Sequence, residues 1–95
     1  MYGQKIPLHT GWIVDSAQII KDETEYGLEE KIENLNKKTG QQISVLTIES
    51  LEQNADGSTI EEYSSKVFEK WGLGQKDKDN GVLIIVAVKE RQVRI

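Results

Sequence analysis

A chain of 95 residues makes one domain with a narrow margin of stability. Twelve basic against 16 acidic side chains leave a net charge of −4. The basic residues are scattered, which argues against a nucleic-acid or general polyanion binder, since phosphate affinity needs a clustered cationic excess. With no cysteine, disulfides, thiolate nucleophiles and Cys-bound zinc are excluded, though the compartment is left open. No apolar stretch is long enough to span a bilayer, and no secretion signal leads the sequence.

Residues 1–11 hold the one proline and the one histidine and read as an extended lead-in. Trp12-Ile13-Val14 is a short apolar cluster, a strand or a packed loop, broken by Asp15 and Ser16. The first helix is expected from about Asp22 or Thr24, with Thr24 as a cap, to Thr39. Leu28, Ile32 and Leu35 recur at helical spacing, and Glu29, Glu30, Glu33, Asn34 and Lys37 fill the opposite face. Acidic residues crowd its positive end and Lys37-Lys38 its negative end, and Gly40 can take the left-handed stop.

Residues 42–49 are β-branched and mostly apolar, a strand. Residues 51–58 read as a polar loop with turn chemistry in Asn54-Ala55-Asp56-Gly57-Ser58. Thr59-Ile60-Glu61-Glu62 is a capping box. Ile60, Tyr63, Val67, Phe68 and Trp71 then form one helical stripe, ended by Gly72 and Gly74. Asp79-Asn80-Gly81 signals a turn. Residues 82–88 are apolar at odd and even positions, as in a strand covered on both faces. After Lys89-Glu90-Arg91, residues 92–95 pair back as a hairpin. The fold expected is α/β, a central mixed sheet with helices packed on its faces. The abrupt end at Ile95 suggests that the natural domain continues.

An ordered set of segments carries a family resemblance over residues 12–95. It comprises Trp12-Ile13-Val14-Asp15, then Thr39-Gly40 leading into Gln41-Gln42-Ile43-Ser44-Val45, then Trp71-Gly72-Leu73-Gly74, Asp79-Asn80-Gly81 before the apolar strand, and Arg91-Gln92-Val93-Arg94-Ile95. In these the chain resembles the TPM domain family, bacterial membrane-associated proteins and thylakoid-lumen relatives linked to photosystem II repair. The resemblance implies an α/β sandwich on the extracytoplasmic side of a membrane-anchored protein, with an unidentified protein partner for which a membrane protein is one candidate. The family pattern runs on past the last strand into a glycine-containing loop and at least one more helix. Calcium has been associated with some members, and an acid phosphatase activity with plant relatives.

Candidate chemistry centres on oxygen. Asp77, Asp79 and Asn80 are the best donor cluster for calcium, which takes roughly six to eight oxygens. Asp15 joins them if its loop reaches the same sheet edge. The same residues also suit a tight turn feeding a strand, and Asp15 equally suits a cap on the turn that follows it. The loop does not match an EF-hand, because Lys76 and Lys78 fall on ligand positions when Gly81 is set on the required glycine. His9, alone in the lead-in, reads as a solvated loop histidine. Trp71 reads as core, and the acidic run of the first helix as a solvated face. A Ser-His-Asp set is formally available from His9 and several serines, but no spacing supports it. Gly72-Leu73-Gly74 is not a phosphate loop. The expected function is a non-enzymatic interaction or maintenance module with calcium in the 77–80 loop. The alternative is a weak metal-assisted acid phosphatase using Asp15, Asp77 and Asp79.

Overall fold

The computed structural model describes residues 6–56, 58–73 and 81–95. In chain order they form strand β1 (Ile13–Asp15), helix α1 (Asp22–Thr39), strand β2 (Gln42–Ile48), a short helix α2 (Leu51–Asn54), helix α3 (Ile60–Trp71), and strands β3 (Gly81–Ala87) and β4 (Gln92–Arg94). The sheet order is β1-β2-β3-β4, with the first three strands parallel and β4 antiparallel to β3. The expected mixed sheet and C-terminal hairpin are both present.

Local chemistry explains most boundaries. α3 starts on the capping box: the Thr59 hydroxyl accepts from the Glu62 amide, and the Glu62 carboxylate accepts from the Thr59 amide. It stops at Gly72, whose φ of 63° few other residues tolerate. α1 stops in the same way at Gly40. Its start differs from expectation. The helix begins at Asp22 behind Lys21, with no side-chain cap, so Thr24 lies inside its first turn. Asp22, Glu23 and Glu25 supply negative charge at that positive end instead.

The 51–58 segment is not simply a polar loop. The Ser50 hydroxyl accepts from the Gln53 amide and starts α2, which buries Leu51 and, just beyond it, Ala55. A polar composition hid two core side chains, because one helical turn needs only one inward position in about four.

Strand alternation divides the sheet into two faces. On one face Leu46 and Ile48 of β2 and Leu83, Ile85 and Ala87 of β3 pack under Tyr63 and Val67 of α3. Phe68 and Trp71 border this cluster, half-buried. Each fully buried Leu, Ile or Val side chain here contributes on the order of 1.5–3 kcal/mol. The other face carries α1 over β1 and β2, where Ile13 and Ile32 are buried apart from the main cluster. β3 is an interior strand, as expected, but its two faces are unequal: Val82, Ile84 and Val86 are only half-buried.

Candidate functional site

Asp15 ends β1, in register with Thr47 of β2. One carboxylate oxygen, Oδ1, accepts from the Thr47 hydroxyl at 2.6 Å and from the Ile19 amide at 3.1 Å. Its partner, Oδ2, accepts from the Ile20 amide at 2.8 Å. Thr47 is buried, and its oxygen accepts in turn from the Ala17 amide at 3.1 Å. The turn closes when the Gln18 amide donates to the Asp15 carbonyl, with Gln18 in the left-handed region at φ 57°. Partial burial works to raise the pKa of Asp15. The bonds from Thr47, Ile20, Ile19 and Gln18 outweigh it and hold the carboxyl below the usual aspartate range. Asp15 is therefore a cap that fixes the link from β1 to α1.

The same donors bear on what Asp15 could offer a cation. Three of the roughly four acceptor positions of the carboxylate are already filled by donors. The register also separates Asp15 from the start of β3. Asp15 lies level with Thr47, Thr47 with Val86, and Gly81 with Gln42 at the opposite end of the parallel strands. That is about 16 Å along the strands, with two strand spacings across. Asp77, Asp79 and Asn80 lie outside the described residues. Among the described residues, no group of three or more His, Asp or Glu side chains is placed to hold a metal.

Sequence reasoning missed a second cluster. His9 is not a solvated loop histidine. Its ring stacks on Trp71 at 4.5 Å and 11°, stands edge-on to Trp12 at 6.1 Å, and lies 3.0 Å from the Ser44 hydroxyl. Trp71 in turn donates its indole N–H to the Pro7 carbonyl at 2.9 Å. The Ser44 hydroxyl is fully buried and donates its one proton to the Trp12 carbonyl at 2.8 Å. Ser44 must therefore accept from His9, and Nε2 carries the hydrogen. Burial lowers the pKa of His9, partly offset by the Glu29 charge. A nucleophilic serine needs the reverse arrangement, with the imidazole accepting the hydroxyl proton. The pair is a clasp holding the lead-in against α3 and β2.

The acidic face of α1 is also partly structural. Glu29 accepts from the amides of Trp12 and Ile13 at 3.0 and 3.1 Å, and Glu33 accepts from the Trp12 indole at 2.7 Å. The spacing of Glu29 and Glu33, four apart on one helix face, was readable. Nothing local revealed that the amides of Trp12 and Ile13 would face them.

An open groove of about 450 Å³ between α3 and the end of β4 is lined by Ser64, Ser65, Phe68, Val82, Arg94 and Ile95. Arg94 lies 4.0 Å from Glu61. No helix among the described residues is long and apolar enough to cross a membrane.

Comparison with solved structures finds the same fold in the solution NMR structure of the N-terminal domain of a protein from P. gingivalis. The two agree with a TM-score of 0.80 at 20% sequence identity. The match covers 99% of this chain and 62% of that one, so the chain spans less than two thirds of that neighbour. No curated protein matches the sequence. The family model described as the TPM domain matches residues 13–95, from the first residue of β1 to the last residue of the chain, and on that match this chain belongs to the TPM domain family.

Proposed function

We propose that this domain is a non-enzymatic interaction or maintenance module of a membrane-associated protein, working on the extracytoplasmic side with a protein partner. The observation that carries the reading is how the converging polar side chains are used. Both Asp15 oxygens are engaged by donors from its own turn and from Thr47. The Ser44 proton is committed to a backbone carbonyl. These groups hold the fold, and neither offers a free reactive atom beside a base. Location and partner class are proposed on the resemblance to the family.

Calcium belongs to this reading through Asp77, Asp79 and Asn80. Asp15 caps the turn that follows β1. Titrating calcium into isotope-labelled protein should move the amide signals of residues 77–81 and leave Ile19 and Ile20 in place. Signals at 77–81 that stay put at millimolar calcium would remove the metal from the proposal.

The alternative, a weak metal-assisted acid phosphatase, draws support from the phosphatase label that the matched family model carries. Its carboxylates would be Asp77 and Asp79. Hydrolysis of a generic phosphate ester that vanishes in the Asp77→Ala, Asp79→Ala double variant, with the fold intact, would replace the primary reading with this one. Hydrolysis unchanged by Asp79→Ala would exclude that residue from any such chemistry.

A further inference from the structure

α3 carries two stripes. Ile60, Tyr63 and Val67 face the core. Glu61, Ser64, Ser65 and Phe68 recur at the spacing of residues that share a helix face and form the neighbouring stripe. This second stripe runs beside β4, which α3 contacts. The two serines in its middle are short, and the space next to them is the open groove of about 450 Å³. A volume of this order is that of a small-molecule site.

The groove has two chemistries. Phe68, Val82 and Leu83 give it an apolar wall. Arg94 pairs with Ile85, which is buried beneath α3, so strand alternation puts the guanidinium on the α3 side. Among the described residues that line the groove, Arg94 alone is charged. It lies 4.0 Å from Glu61, and both side chains are half-exposed. Such a surface pair contributes little and is readily displaced. Ser64 spends its proton on the Glu61 carbonyl at 3.0 Å. The Ser65 hydroxyl has no partner among the described residues. One cation and one spare hydroxyl donor therefore stand beside an apolar wall.

We infer that this groove binds a carboxylate carried on a compact apolar group, with Arg94 and the Ser65 hydroxyl donating to the carboxylate and the apolar group resting on Phe68 and Val82. A guanidinium presents paired donors that match the two oxygens of a carboxylate. Glu61 beside Arg94 sets the ligand's charge. It leaves room for one negative charge and repels the second that a phosphate monoester carries at neutral pH. The apolar wall sets the rest, because a bare small anion gains nothing from Phe68 and Val82. The last residue of a polypeptide with an apolar side chain there has this chemistry, and so has a free aryl or alkyl carboxylic acid.

N-acetyl-phenylalanine is the probe, and its carboxamide is the uncharged counterpart. Titrated into isotope-labelled protein at neutral pH, the acid should move the backbone signals of Ser64, Ser65, Phe68, Val82 and Leu83 saturably, and the carboxamide should bind at least about fivefold more weakly. Arg94→Gln should weaken the acid by at least about fivefold and leave the carboxamide unchanged. Ser65→Leu, at an exposed helix position, should fill the groove and weaken both ligands, with unshifted signals at Ile48 and Ile85 as the condition for scoring. A short peptide ending in phenylalanine that binds about tenfold tighter than the acid supports the inference with polypeptide ends as the source, and equal binding supports it with free acids as the source. Acid and carboxamide binding equally well to the wild-type protein would overturn the inference. So would the absence of a saturable shift at these residues up to millimolar acid.

Discussion

Replacing Asp15 with alanine separates a structural carboxylate from a ligand. The side chain accepts three hydrogen bonds, from the Thr47 hydroxyl and the amides of Ile19 and Ile20. A hydrogen bond to a charged group is worth about 1.5–3 kcal/mol when both partners are sheltered. The turn around Asp15 is only partly buried, so water recovers much of that, and the loss resembles removal of a helix cap. Asp15→Ala should therefore cost about 1–2 kcal/mol. In a domain of this size each kcal/mol lowers the melting temperature by about 4–8 °C. The sign with pH follows from the depressed pKa in the folded state. The contribution is fully present above the unfolded aspartate value of about 3.9 and is lost as pH falls through the lower folded value. Urea melts of the wild-type and Asp15→Ala proteins should differ fully at pH 7, and the gap should close toward pH 3. A gap of the same size at both pH values would falsify the charge-assisted cap, and no gap at pH 7 would show that the three bonds contribute nothing net.

Two further outcomes test the packing around this frame. A Cβ built on Gly11 comes within 2.7 Å of Glu29 Oε2, so Gly11→Ala should push that carboxylate off the amides of Trp12 and Ile13 and cost about 1–2 kcal/mol. In a Glu29→Ala background the same substitution should cost far less, and strict additivity in the double-mutant cycle would refute the contact. Tyr63 is fully buried, and burial pushes its phenol up to about 12 against the lowering effect of its hydrogen bond with Asn54. Because the folded state keeps this proton after the unfolded chain has lost it, stability should fall as pH rises from about 10 to 12. Tyr63→Phe should lose part of that alkaline decline in urea melts, and an unchanged decline would assign it to other groups.

What could be read from the sequence was the information that is local. The capping box at Thr59, the left-handed stops at Gly40 and Gly72, and the stripe from Ile60 to Trp71 depend on residues within a few positions of each other. All of these reappear in the fold. The misreadings involve partners far apart in sequence. Glu29 and Glu33 looked like a solvated face because their acceptors serve Trp12 and Ile13, more than 15 residues away. His9 looked solvated because Ser44 and Trp71 meet it only after the sheet and α3 are assembled. Asp15 stood open between cap and ligand because its deciding neighbour, Thr47, lies one strand over. The strand at 82–88 was read as covered on both faces from its composition. Composition reports what a strand can bury, and neighbouring elements decide what it does bury.

The parallel register also constrains what a candidate site can be. Sheets of this kind commonly place ligands beyond the carboxyl ends of their strands. Here that end of β1 is closed by the 15–20 turn, with the Asp15 carboxylate facing inward onto Thr47 and two amides. The oxygen-rich segment read from the sequence leads instead into Gly81, level with the first residue of β2. Asp15 itself lies about 16 Å along the strands from Gly81, far more than the coordination radius of any cation. The cap stabilises the fold whether or not residues 77–80 bind a ligand.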